Sequence, residues 1–234
     1  MLSNYRPISI TCVTRKLLEP IVSSKIHDHL VNNNIRPISN SQHGFVRGRS
    51  TCTNLLESLN NWTSNTQDGC QTTVIYIDFS KAFDVAQHDK LFVKLRAYGI
   101  GRVLLQWIIN LFTCRTIQTR INDLHSDVCN LLCGVMQGSV IGPLMFLVYI
   151  NDLVELLASF NVKVKLFADD MKLYVRVVSI TDSTTLHKAL TTLVAWADEW
   201  QLSVSVEKCC VLHIGKTAGT SQFHVKDTSV PLVS

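Results

Sequence analysis

Residues 162–177, VKVKLFADDMKLYVRV, constrain the fold more than any other stretch, because two alternating runs meet at the adjacent carboxylates Asp169 and Asp170. The spacing predicts a β-hairpin with acid at its tip. Successive side chains of a strand point to opposite faces. Val162, Val164 and Leu166 therefore share one face, and Lys163, Lys165, Phe167 and Asp169 share the other. Neighbouring carboxylates repel unless a cation or basic group offsets them, and hard divalent ions favour oxygen ligands of this kind. Aspartate is also common in tight turns, where it bonds local backbone groups. The tip alone leaves both a cation site and a plain turn open.

A second acid stands in a comparable place. Residues 73–79, TVIYIDF, form a short apolar, β-branched run between Gly69 and Ser80, which reads as a buried central strand ending in Asp78. A carboxylate there needs a cation beside it or a raised pKa. Asp78 and Asp169 are 91 residues apart, yet neighbouring strands of one sheet would bring Asp78, Asp169 and Asp170 together. Three converging carboxylates hold two Mg²⁺ ions in the pattern of in-line phosphoryl displacement.

Charge is unevenly spread. Residues 1–50 carry seven Lys or Arg against two acids, while the whole chain nets +4. An anionic partner at the N-terminal part and an ordinary solvated basic surface both fit that excess. Within it, residues 42–51, QHGFVRGRST, place glycines around Arg47 and Arg49, with Ser50 set to cap the next helix. Backbone amides, a helix start and guanidinium groups favour phosphate. A solvated loop is the equal alternative.

The rest of the chain supplies helices. Leu17, Leu18, Ile21, Val22, Ile26 and Leu30 have helical spacing, as do Leu186, Leu190, Leu193, Ala197 and Trp200. Helices are expected from Leu91 to Tyr98, stopped by Gly99, and from Val103 to Phe112. A hairpin around Asn122-Asp123 precedes a glycine-rich loop at 134–143 and an apolar helix. Residues 202–214 read as two short strands, and beyond Gly215 the pattern dissolves. With 47% hydrophobic residues a packed core is assured. Isolated strands, helices and a hairpin in alternation argue α+β.

Eight cysteines show no paired knuckles and lie mostly in apolar runs, which predicts buried free thiols and no zinc. With no secretory signal at Met1, the expected setting is intracellular, nucleus or cytoplasm, and not secreted. Val128 to Asn151 has no Asp, Glu, Lys or Arg over 24 residues, but three glycines and Pro143 break it into strand, loop and helix. No stable membrane association is expected. Oligomeric state is not legible.

In order along nearly the whole chain, the segments NYRPIS (4–9), QHGFVRGRST (42–51), YIDFSKAFD (76–84), GVMQGSVIGP (134–143), YINDL (149–153), FADD (167–170) and the stretch from Trp200 to Gly215 resemble the motifs of reverse transcriptases. The resemblance is greatest to those of jockey-like non-LTR retrotransposons (LINEs). It implies a right-hand polymerase with fingers at 1–70, a palm at 71–215 built on a small antiparallel sheet flanked by helices, and an irregular end at 216–234, the thumb absent or incomplete.

The implied activity is RNA-directed DNA synthesis with an RNA template, a DNA primer, deoxynucleoside triphosphates and two Mg²⁺ ions, for which Mn²⁺ can substitute. Asp78, Asp169 and Asp170 match the metal ligands, and Lys208 the proton donor to pyrophosphate. Phe83 matches the position under the sugar, Gln137 and Gly138 the loop at the incoming nucleotide and template. Arg6 matches a triphosphate contact, with Arg47 and Arg49 in the next fingers motif. Met136, where proline is usual, Ser205, Val46 and Val85-Ala86-Gln87 depart from the family pattern. None removes a metal ligand. The alternative is a catalytically silent remnant or domesticated nucleic-acid-binding module, against which the retained acids count.

Overall fold

A computed structural model describes residues 6–32, 37–215 and 221–233. In chain order, helices α1 (Val13–Asn32) and α2 (Thr51–Gln67) precede strand β1 (Gln71–Ile77). Helices α3 (Ala82–Val85), α4 (His88–Ala97) and α5 (Arg102–Phe112) follow. Short strands β2 (Arg115–Ile117), β3 (Arg120–Ile121), β4 (Leu124–His125) and β5 (Cys129–Leu131) lead to α6 (Ile141–Ile150) and α7 (Asp152–Ala158). The chain continues through β6 (Lys163–Phe167), β7 (Asp170–Val177), α8 (Ile180–Glu199) and β8 (Cys210–Ile214). It ends in β9 (His224–Val225), β10 (Thr228–Ser229) and β11 (Leu232–Val233). Contacts divide the chain into two interleaved units, one of residues 1–37 and 83–149, the other of 38–82 and 150–234.

The second unit is organised on a five-stranded sheet in the order β11-β8-β1-β7-β6, with β1 central as its apolar run predicts. Neighbours are antiparallel except β11, which lies parallel to β8. Helix α2 packs on β1 and β6, and α8 on β7. On the α2 side Trp62 meets Tyr174 edge-on at 5.9 Å, and both bury Val74. Ser50 caps α2 in a reciprocal box with Thr53, as its position before Leu55 implies. Strand β11 and the β9-β10 pair occupy a stretch expected to be irregular. Their two-residue lengths are too short for a periodic signal.

In the first unit, α1 buries Ile26 and Leu30, but Leu17, Leu18 and Ile21 are exposed, unlike the single apolar stripe that the spacing suggests. The buried face instead carries an Arg15–Glu19 ion pair. Glu19 Oε2 accepts the Val140 amide at 2.7 Å and the Ile141 amide at 3.3 Å, satisfying free donors at the start of α6. Strands β3 and β4 pair about Asn122, which has φ +53, so the expected hairpin forms. The uncharged stretch divides into β5, a loop and α6. Residues 141–158 are long and apolar enough to cross a membrane by length and composition, but 67% of that window is buried inside the protein. All eight cysteines are free, though only Cys209 is buried. Cys12, Cys52, Cys114 and Cys129 are exposed, and Cys70, Cys133 and Cys210 are half-buried.

His43 and His213 both sit below the ordinary imidazole pKa. Burial is the main cause for each, and Glu57 opposes it at His43. Neutral rings in the fold take up protons on unfolding, so the unfolded state binds more protons at mildly acidic pH. Stability is complete above the ordinary value of 6.5 and falls as pH drops through it toward the folded values. Melting temperature should decline between about pH 7 and about pH 5. A flat profile for the native chain, or an equal decline in a His43→Gln, His213→Gln variant, would exclude this cause.

Candidate active site

In the sheet-bearing unit, Ile77 pairs with Met171. One further step of that register places Asp78, just beyond β1, across from Asp170 at the start of β7. Phe167 and Asp170 close the β6-β7 hairpin, leaving Ala168 and Asp169 as its two-residue turn. All three acids therefore reach the same end of the sheet. Among the described residues, however, no three His, Cys, Asp or Glu side chains are grouped as a metal-ligand set. The expected convergence is one of strand ends, not of carboxylates already gathered. Like charges repel across such a gap, and one of the acids has taken a different cation.

That cation is Lys208, whose Nζ lies 3.3 Å from Asp78 Oδ1. Lys208 ends a short 3₁₀ turn, Val206–Lys208, where a strand was expected. Two hydrogen bonds hold the turn beside β1, from the Ser205 amide to the Asp78 carbonyl at 2.8 Å and from the Ser80 amide to the Ser203 carbonyl at 2.7 Å, which make Phe79 and Val204 a bridged pair. Asp78 thus has the cation that its strand-end position requires. The donor chemistry fits Mg²⁺, since all three acids offer hard oxygens at one sheet end, although the Lys208 ammonium engages one oxygen of Asp78.

The Ala168-Asp169 turn is gripped from the side by residues 41–44. Leu166 donates to the Ser41 carbonyl and accepts from the His43 amide, each at 2.9 Å, so this segment runs as a short parallel bridge along β6. The Gln42 side chain reaches both polar groups of Ala168. Asn54 of α2 donates to the Leu166 carbonyl at 2.9 Å and accepts Lys172 Nζ at 2.8 Å. Gly44 is required here, because an added Cβ would stand 2.3 Å from the Ala168 nitrogen.

Arg49 serves the same loop. Its Nη1 donates to the carbonyls of Ser39, Asn40 and Gln42 at 3.1, 3.1 and 2.6 Å, and its Nη2 to Asn40 Oδ1 at 2.6 Å. The guanidinium is occupied by the protein's own backbone. Arg47 remains exposed. Lys165 is not presented with the acids either, since it forms an ion pair with Glu57 of α2, whereas Lys163 is exposed.

The remaining predicted residues lie in the other unit. Phe83 stacks on Phe146, with centroids 4.2 Å apart. Gln137 Nε2 donates to Asp84 Oδ1 at 2.7 Å, and its carbonyl accepts the Ser9 amide at 2.8 Å. The 7–9 segment is thereby joined to the glycine-rich loop. Gly138 has φ +93 and passes so close that a Cβ would meet the Ser9 carbonyl at 3.1 Å. Arg6 is exposed, while Asn4 and Tyr5 of the same motif lie outside the described residues. Periodicity did not single out Gln42, Asn54 or Asp84, since each acts on a partner distant in sequence; only their places inside or beside the motifs hinted at them.

The chain matches the family model described as reverse transcriptase (RNA-dependent DNA polymerase) over residues 2–230. Among curated relatives, it is 28% identical over 217 residues to a probable RNA-directed DNA polymerase from transposon BS of Drosophila melanogaster, covering 88% of this chain and 23% of the relative. To the RNA-directed DNA polymerase from mobile element jockey of Drosophila funebris it is 26% identical, with 88% and 23% covered. It spans about a quarter of the length of these relatives. In fold it is similar to apo telomerase from Candida tropicalis truncated from its C-terminal domain, with TM-score 0.65, 12% identity, and 93% of this chain and 43% of that one covered. A telomerase from the same organism in complex with a fragment of telomeric RNA gives 0.65 at 11% identity, with 91% and 36% covered.

Proposed function

Because the chain belongs to the reverse transcriptase (RNA-dependent DNA polymerase) family, we propose that it is the fingers and palm of an RNA-directed DNA polymerase of a non-LTR retrotransposon. Its substrates are an RNA template, a DNA primer and deoxynucleoside triphosphates. The observation that carries this reading is the placement of Asp78, Asp169 and Asp170 at one end of the antiparallel β1-β7-β6 array, with Lys208 at Asp78.

In this reading Asp78 and Asp169 hold two Mg²⁺ ions and Asp170 stands beside them. Ions held there would supply the positive charge that lowers the pKa of the attacking primer hydroxyl and offsets charge on the leaving pyrophosphate. The protein's residues supply the rest. Lys208 donates a proton to the departing pyrophosphate. Phe83, braced by Phe146, packs under the sugar, and its bulk disfavours a 2′-hydroxyl. Gln137, held by Asp84, and Gly138 present the loop to the nucleotide and template. Arg6 and Arg47 are the exposed fingers arginines suited to phosphate. Arg49 has a supporting task, because its donors are engaged by carbonyls of its own loop. The same reading puts the protein in the nucleus or cytoplasm.

Extension of a DNA primer on an RNA template with Mg²⁺, against an Asp169→Ala control, tests the assignment. Template-dependent product from the native chain and none from the control is the expected result. Equal signals from both would rule out this site as the source of any polymerase activity, and no signal from either would leave the silent-remnant reading standing.

A further inference from the structure

We propose that Gln42 is the positioning residue of the catalytic turn: its side-chain amide fixes the backbone of Ala168 and so sets where the Asp169 carboxylate points. The inference rests on the function proposed above and assigns a residue that the site's chemistry left without a role. Ala168 has φ +58 in a two-residue hairpin loop, a conformation that such loops ordinarily give to glycine or asparagine. A residue with a Cβ persists there only where its surroundings over-determine it.

Gln42 supplies that constraint. Its Nε2 donates to the Ala168 carbonyl at 3.2 Å, and its Oε1 accepts the Ala168 amide at 2.9 Å. The same oxygen accepts the Gly44 amide at 2.8 Å. One planar side chain thus holds both polar groups of a single residue. Gln42 is 2% exposed, so water does not substitute for these bonds. It is itself held by Arg49, which donates to the Gln42 carbonyl at 2.6 Å, and by its bridge to Leu166. Asp169 follows Ala168 across one planar peptide, so any rotation at Ala168 swings the carboxylate. Glutamate would keep the acceptor and lose the donor, and asparagine is one methylene too short.

The test measures Mn²⁺ binding to the full chain by the electron paramagnetic resonance signal of the free ion, together with amide exchange at residues 168–170. Gln42→Ala should weaken Mn²⁺ binding roughly ten- to hundred-fold and speed exchange at the Ala168 amide. Adding Ala168→Gly should restore most of the affinity, because glycine adopts the turn unaided. A purely structural role would lower the melting temperature without changing Mn²⁺ affinity in the folded range, and would show no such rescue. Should Gln42→Ala fail to fold, Gln42→Glu carries the same comparison. Unchanged affinity in a folded Gln42 variant, with native binding that depends on Asp169, overturns the proposal. If the native chain binds no Mn²⁺, or Asp169→Ala binds equally well, the polymerase reading fails separately. Exchange then decides the clamp: faster exchange at Ala168 in the variant supports it, and unchanged exchange overturns it.

Discussion

Asp78→Asn is expected to lower the rate of single-nucleotide primer extension at least about a thousand-fold, the equivalent of several kcal/mol of lost charge stabilisation. The substitution keeps shape and removes charge, so the ligand set loses a carboxylate while β1 keeps its register. Stability should change little. The Asp78–Lys208 pair is 25% exposed on one side and 64% on the other, and pairs this open contribute less than about 1 kcal/mol. The two readouts therefore separate: extension collapses and the melting temperature holds. A variant that extends primers at the native rate would show that Asp78 is not a catalytic carboxylate, whatever its place in the sheet.

Gly44→Ala is the largest structural effect expected. The new Cβ would stand 2.3 Å from the Ala168 nitrogen, 2.9 Å from the Phe167 carbonyl carbon and 3.0 Å from the Ala168 Cα. All three are backbone atoms of the β6-β7 hairpin, so no rotamer change relieves the contact. Overpacking of this kind costs about 1–3 kcal/mol, and each kcal/mol lowers the melting temperature by roughly 2–4 °C in a chain of this size. The loop must separate from the turn, so primer extension should fall with stability. A native melting temperature in Gly44→Ala would mean that residues 41–44 do not pack on the turn.

The β6-β7 hairpin was readable because residue types alternate along β6, where Val164 and Leu166 are buried and Lys163 is exposed; in β7 the adjacent Leu173 and Tyr174 are both buried, because Trp62 of α2 covers the second face. Helices α4, α5 and α8 were equally plain from their spacing and, for α4, from Gly99 after its end. Helix α1 was legible only as a helix. Its buried face holds Arg15 and Glu19, because the start of α6 needed an acceptor for two amides, and hydrophobic spacing carries no trace of that demand. The fate of Arg49 was hidden for a related reason. A guanidinium among glycines reads as a phosphate grip, yet the carbonyls of Ser39, Asn40 and Gln42 reach it first.

What the sequence by itself determined is the chemistry available and the local elements that carry it: three carboxylates at strand ends, an aromatic after the first of them, and a Gln-Gly pair in a flexible loop. These depend on residue type and on periods of two or 3.6 residues, which act over short range. What only the tertiary structure decided is which side chain serves which partner. Lys208 sits on Asp78 from 130 residues away, and Gln42 holds Ala168 from 126 away. Such pairings follow from how strands register and which buried polar groups remain to be satisfied. No local pattern encodes that bookkeeping, because each bond is settled only when the competing donors and acceptors have been brought into place.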